Sequence, residues 1–442
     1  MSELPDSWLT LPLGEVNQFS STTIDPSTRP DEVFELYSVP SFPTRKPERL
    51  PGSAIGSTKQ TVTPGDVLVS KINPRINRVW TVGPEAAEVQ IASSEWIGFR
   101  SSVVQPIFAN YYFKSPDFRE LLCSEVAGVG GSLTRAQPKR VAGYPVPIAP
   151  SNEQTRIANQ LDTLLTRIQA CNDRFDAIPA LLKRFRQSVL RAAITGALTS
   201  ACEWQLCKIK DAGKIQLGRQ RAPKFHTGKN MRPYLRVQNV FENRLDLSDV
   251  MEMDFPGADF DRYQLHPGDI LLNEGQSPEY LGRPAMYRGE LPGACFTNTL
   301  IRFQAYPHVN PEYALLVFRH HMHSGRYIVE GNITTNLAHL SAGRFSEVEF
   351  PLPTLEEQTE IVRRVEALFA LADRIEARCA TARAQAQRLT PLVLAKAFRG
   401  ELVPQDPSDE PASALLARIA SANTAGAGKS KQKVPVAPKE LA

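Results

Sequence analysis

The chain has 442 residues, 42% of them hydrophobic, with 51 Lys+Arg against 47 Asp+Glu and a formal net charge of +4. That length can bury at least two cores, and no run of 18 or more apolar residues offers a membrane span. So mild a net charge does not by itself indicate nucleic acid, which leaves local clustering as the informative signal.

The start, MSELPDSWLT, has neither the basic nor the apolar region of a signal peptide. Six cysteines (Cys123, Cys171, Cys202, Cys207, Cys295, Cys379) form no C-x-x-C pair and no zinc spacing. Reduced thiols in a cytoplasmic protein are the expectation. Trp8 opens the first half, and the β-branched runs DVLVSKI (66–72) and RVWTVG (78–83) read as strands. Between them SKINPRINR (70–78) gathers Lys71, Asn73, Arg75, Asn77 and Arg78. SPDFRELLCSEVAG (115–128) reads as a helix opened by Ser-Pro and closed at a glycine, and Lys139 and Arg140 follow it.

The proline string PVPIAP then leads into Ser151-x-x-Gln154, a capping box. From there Ile157, Leu161, Leu164, Leu165 and Ile168 keep a narrow apolar seam on one helix face, which asks for a partner helix. The helix is expected to run from Asn152 to about Ala177, ending near Pro179. That is roughly 40 Å at about 1.5 Å per residue, on the order of one turn of B-DNA.

Trp204 opens the second half, and nine Lys/Arg residues lie between Lys208 and Arg236 against one acid, Asp211. A solvated basic face is the commoner meaning of such a run. Here it is interleaved with Gly218, Pro223, Gly228, Phe225 and amides, a composition that suits a loop lying along a phosphate backbone. DILLN (269–273) and LIRFQAY (300–306) read as strands and NPEYALLVFRHHMHSG (310–325) as a helix. His320, His321 and His323 near the end of that helix lack matching acids or thiols and read as helix-end cations rather than metal ligands. A second capping box, Thr354-x-x-Glu357, starts another seam: Ile361, Val365, Leu368, Phe369 and Ile375.

The two seams belong to one duplication. Glu153-Gln154 matches Glu357-Gln358, and Gly196 matches Gly400, each pair 204 residues apart (357 − 153, 400 − 196). RQSVLRAAITGALT (186–199) falls on TPLVLAKAFRGELV (390–403) without a gap, and TPGDVLVSK (63–71) answers HPGDILLNE (266–274). A period this long is domain-sized and excludes a solenoid. Two similar seams in one chain are natural partners, and an approximate two-fold axis between the halves would pack them antiparallel. Each seam docking only onto its own globular domain is the plainer possibility.

The tail of the repeat, LAKAFRGELVPQDPSDEPASALLARI (394–419), the doubled proline-to-EQ entry into a helix, and the segments YLRVQNV, GDILLNEGQS, TNTLIRF and TTNLAHL resemble the specificity subunit of type I restriction-modification enzymes. The resemblance covers nearly the whole chain, to about residue 419. It implies an α+β fold: two strand-rich mixed target-recognition domains in pseudo-two-fold repeat, joined by two long helical regions packing as an antiparallel coiled coil. The boundaries that follow are 1–149 and 201–352 for the recognition domains, 150–200 and 353–403 for the helical regions, and 404–442 for a largely flexible extension. The resemblance also implies no catalysis in this chain. Each recognition domain would read half of a bipartite site in double-stranded DNA, and the helices would set the spacer and bind two methyltransferase subunits. Those subunits use S-adenosylmethionine to methylate adenine, and two restriction subunits would use ATP and Mg.

Base readers are chosen by chemistry, since Arg and Lys suit guanine while Asn and Gln suit adenine. In the second domain the candidates are Arg219, Arg221, Lys224, His226, Lys229 and Asn230, with Asn273, Gln276, Ser277 and Asn336; in the first they are Lys71, Asn73, Arg75, Asn77 and Arg78. Lys139 and Arg140 suit phosphate contacts better. No N-P-P-Y methyltransferase motif or convincing nuclease cluster is present, and AGAGKS (425–430) has Asn423 where the first P-loop glycine should stand. No metal site is expected. The rival reading is a duplicated scaffold protein without DNA, and a methylation-only system is a variant within the family.

Overall fold

Each half of the chain is closed by pairing its first strand with its last. Leu9–Pro12 runs antiparallel to Pro145–Ile148 with Leu9 opposite Ile148, and Gln205–Lys208 runs antiparallel to Glu349–Leu352 with Gln205 opposite Leu352. The computed structural model describes residues 4–124, 134–199, 204–330, 332–334 and 337–428. It divides into two compact units, 1–174 with 382–442 and 175–381. Each long helical region is therefore shared by both units instead of standing apart as a domain. No helix among the described residues is long and apolar enough to cross a membrane.

The same three-strand antiparallel sheet recurs in both units. In the first, Val67–Ser70 lies between Val79–Thr81 and Trp96–Phe99; in the second, Ile270–Asn273 lies between Pro284–Met286 and Leu300–Ala305, with Gly213–Leu217 added outside. The central strands are buried on both faces, which explains their unbroken apolar runs in place of alternation. The TPGD and HPGD motifs turn the chain into them. Gly65 and Gly268 take φ of 85° and 97°, a left-handed conformation that glycine adopts without strain. Buried Asp66 and Asp269 accept the amides of Thr63 and His266 and bind Arg100 and Gln304. The first unit adds a five-stranded sheet around Val33–Tyr37 and Val89–Ser93, and the second a three-stranded one around Met231–Leu235.

The doubled Glu-Gln pair closes each unit. The Gln154 amide donates to the carbonyls of Val103 and Ala149 and accepts the Gln105 N–H; Gln358 does the same with His308, Pro353 and Asn310. Glu153 accepts the indole N–H of Trp8 at 3.0 Å, and Glu357 that of Trp204 at 3.0 Å. Gln154 and Gln358 are fully buried, so each satisfies backbone that would otherwise lose its hydrogen bonds to water; Trp8 and Glu153 are buried as well, while Trp204 and Glu357 are half-buried.

The long helices run Ser151–Ile194 and Leu355–Phe398, 44 residues each. That is about 66 Å, not 40 Å. The sequence expectation failed at Pro179, which lies inside the first helix, as Pro391 lies inside the second. A proline removes one helical hydrogen bond and costs about 3 kcal/mol. Here buried neighbours such as Leu182, Val189 and Leu190 hold the following turns in place. Both helices end instead at Gly196 and Gly400, with φ of 77° and 73°.

Ile157 and Leu161 are fully buried in the first unit's core, with Leu165 packed against it; Ile361 and Val365 are fully buried in the second's, with Leu368 and Phe369 packed against it. Leu164 and Ile168 are half-buried. Ile375 departs from the expected seam: it is 39% exposed, and Ala372, one turn earlier, takes the buried place.

The helix expected over 115–128 is present as Pro116–Ser124, preceded by a separate helix Pro106–Phe113, and its expected closing glycine, Gly128, lies outside the described residues. The extension from 404 is built into the first unit as far as 419. Gln405 donates to Glu153, Arg156 binds the buried Asp409 at 2.6 Å, and Ala412 and Leu415 join the apolar interior. A final helix spans Ala412–Gly428, and residues 429–442 lie outside the described range.

Candidate nucleic-acid interface

In the second unit the chain leaves the edge strand Gly213–Leu217 through Gly218, where a Cβ would stand 2.3 Å from the Thr297 carbonyl oxygen, so only glycine fits. Arg219 follows and turns inward. Its guanidinium lies 3.8 Å from the Phe225 ring centroid and 5.0 Å from that of Phe255, donates to the Asp254 carbonyl and pairs with Asp259 at 2.9 Å. With 7% exposure it is an anchor of the loop, and it is unavailable to a base, contrary to the sequence expectation.

Around that anchor the loop is pinned by Asp254, whose carboxylate accepts the Asn230 amide at 2.7 Å. Arg221, Lys224, His226, Lys229 and Asn230 are all exposed. Lys224 lies 4.9 Å from the Phe225 ring, Arg221 5.7 Å from Tyr234 and Arg232 4.5 Å from Phe260, so aromatic faces support three of the cations. Other members of the basic run are neutralised locally: Lys208 and Lys210 by Glu347, and Arg236 by Asp249.

Asn273 is a second correction. It is fully buried with its Nδ2 3.5 Å from the Val240 carbonyl, and its position in an all-apolar central strand hides it from any ligand. Gln276 and Ser277 are half-buried, Gln276 in the short strand Gly275–Gln276 opposite Ala338 and Ser277 just after it, and Asn336 lies outside the described residues.

In the first unit the candidates form a hairpin turn. Asn73 and Asn77 both take left-handed backbone, with φ of 48° and 49°, and flank a single 3-10 turn, Pro74–Ile76. Asparagine tolerates that region better than other non-glycine residues. The turn is tied to its surroundings: Asn73 N–H donates to Thr134 O, and Arg119 donates to the Arg75 carbonyl at 2.6 Å. Arg75 is exposed. Lys71 is half-buried, and burial, with Arg135 nearby, lowers its pKa from the usual lysine value. Arg78 folds back to the Ile72 carbonyl at 3.3 Å, a contact that positions the turn. Lys139 and Arg140 are exposed on the short helix Pro138–Val141.

Two features escaped the sequence reading. Arg232 is exposed beside the anchored loop, hidden in the run because a strand residue carries no loop signal. Lys214, Arg262 and His266 line a polar cleft against Arg302 and Gln304, brought together by sheet order that spacing does not reveal. The histidine run is also corrected. His321 is buried with Nε2 2.9 Å from the Glu349 carbonyl, and burial drives its pKa down to about 4, so it is neutral; His323 sits 2.9 Å from Glu242. Among the described residues no group of three or more His, Cys, Asp or Glu is placed to hold a metal ion.

Two mixed units with equivalent internal contacts and dissimilar polar loops define a class of duplicated recognition protein. Residues 202–380 match the family model of the type I restriction modification DNA specificity domain. The chain is 30% identical over 341 residues to the EcoKI specificity subunit of Escherichia coli (strain K12), covering 73% of each chain. It is 29% identical over 346 residues to the StySPI specificity subunit of Salmonella potsdam, covering 74% of this chain and 73% of that one. The HsdS subunit from Thermoanaerobacter tengcongensis shares the fold with a TM-score of 0.66 at 19% identity, over 90% of this chain and 98% of that one. A chain from a structure of type I R-M complex assembly gives 0.69 at 19%, over 90% and 100%. The chain belongs to the family of type I restriction enzyme specificity subunits.

Proposed function

We propose that this chain reads a two-part DNA target, one half through each unit, and that catalysis belongs to partner subunits. The observation that carries the reading is the contrast between constant frame and variable loops. The Glu-Gln and Trp contacts that close the units are the same in both, while the groups offered to solvent differ: the turn after the central strand carries exposed Arg75 in one and exposed Glu279 in the other, and the second unit also presents a basic loop at 220–232. A scaffold without DNA would have no use for loops of opposite design on one frame.

The recognition domains are 1–149 and 201–352, related by a pseudo-two-fold axis, and the two long helices pack as an antiparallel coiled coil that sets the spacer. Contacts within the second unit support this direction: Arg186 of the first helix meets Asp373 and Glu376, while Leu198, farther along, meets Arg364. Residue numbers rise on one side as they fall on the other. The helices also dock two methyltransferase subunits, which carry S-adenosylmethionine, and two restriction subunits carry ATP and Mg.

The combined variant Arg221→Ala, Lys224→Ala, Lys229→Ala tests the division of labour in the assembled complex. It should weaken protection of one half-site and lower the slope of log affinity against log salt by roughly 2–3, since each lost phosphate contact removes about 0.9. Equal loss at both half-sites, or an unchanged slope, contradicts the assignment.

A further inference from the structure

The two hairpin turns share a feature that their polar residues conceal. In the first unit the strand Val67–Ser70 is followed by the 3-10 turn Pro74–Ile76 and the strand Val79–Thr81; in the second, Ile270–Asn273 is followed by Pro278–Tyr280 and Pro284–Met286. Both turns begin with proline, at positions 204 apart (278 − 74), and both end on a large side chain left in solvent. Ile76 is 59% exposed and Tyr280 45% exposed.

A single exposed hydrophobe needs no explanation. The same exposure at the same position of two copies whose other loop residues have diverged does. Neither side chain is held out by a floppy loop. Proline fixes the start of each turn; the first is further clamped by its two left-handed asparagines and by Arg119, and in the second the Tyr280 ring lies 5.2 Å from the Arg283 guanidinium. A rigid apolar tip carried on a polar turn suits a groove in which hydrogen-bonding edges alternate with apolar ones. The major groove of duplex DNA is such a surface, and its only projecting apolar group is the thymine C5-methyl.

We propose that Ile76 and Tyr280 are specificity-determining residues, each making apolar contact with a thymine methyl group in its own half-site. The inference rests on the two-part DNA reading above. Ile76 supplies the contact in the half read by the first unit, beside Arg75, and Tyr280 in the half read by the second, beside Gln276 and Ser277.

Deoxyuridine lacks only that methyl, so it is the probe. The full complex is titrated with duplexes carrying its target, in which each thymine of either half-site is replaced singly by deoxyuridine. One replacement in each half-site should weaken binding about fourfold, the worth of one buried methyl group. Ile76→Ala should abolish the thymine preference in one half-site only and Tyr280→Ala in the other, with unfolding midpoints unchanged because both tips are exposed. Target-specific binding with no sensitive thymine, or with a preference that survives both substitutions, overturns this proposal and leaves the two-part reading standing. Absence of any target-specific binding overturns both.

Discussion

At the scale of single residues, burial separates loop anchors from cations free to meet a ligand where sequence gives them the same letter. Arg219 and Arg221 stand two positions apart in one basic run, yet the first is sandwiched between Phe225 and Phe255 and the second is in solvent. Arg219→Ala should lower unfolding stability by on the order of 2–4 kcal/mol, because it removes a buried cation and strands the Asp254 carbonyl. Arg221→Ala should leave stability within about 0.5 kcal/mol, as exposed substitutions do. Equal unfolding midpoints for the two variants would contradict the anchor role. Histidine chemistry gives a pH test. Burial holds His321 neutral, with a folded pKa of about 4 against an ordinary 6.5. A lowered folded value means that the unfolded state binds the extra proton, so this contribution is fully present above pH 6.5 and is lost as pH falls toward 4. His321→Gln should flatten the pH dependence of the unfolding midpoint across that window, and an unflattened curve would show that other groups govern it. None of this is legible in the local sequence RHHMH (319–323), because whether a histidine faces a carbonyl or water is decided by the strand at Glu349, distant in sequence.

At the scale of elements, periodicity and capping were the legible signals. Both long helices start where the Ser151-x-x-Gln154 and Thr354-x-x-Glu357 patterns put them, although the Gln154 and Glu357 side chains bond within their units instead of back to the cap, and the seam residues Ile157, Leu161, Ile361 and Val365 are buried. The first helix runs past its expected end because packing after Pro179 outweighs one missing hydrogen bond. Ile375 was misplaced by the same kind of local reasoning, since a small residue, Ala372, fills the close contact. Apolar contact should dominate helix energetics. Leu161→Ala should cost about 2–5 kcal/mol, the range for emptying a buried leucine site. Arg186→Ala should cost under about 1 kcal/mol, because its partners Asp373 and Glu376 are mostly in solvent. Chemical denaturation of the two variants checks the ranking, and a reversal would mean that ion pairing holds the helices.

At the scale of the whole molecule, the duplication is readable because the Glu-Gln pair and the terminal glycine keep one period of 204 residues and the Pro-Gly-Asp turn recurs within one residue of it, at 203 (267 − 64). Which loops face a ligand was not readable, because strand order brings Lys214 beside Arg262 and buries Asn273 without leaving a trace in spacing. The central claim is that one chain specifies both halves of a gapped DNA target. The most direct measurement is the adenine-methylation pattern of the native genome, read with this gene intact and deleted. The account predicts that deletion removes methylation at one motif made of two short blocks separated by a fixed spacer. Retention of every methylated motif, with the partner methyltransferase expressed, would contradict it.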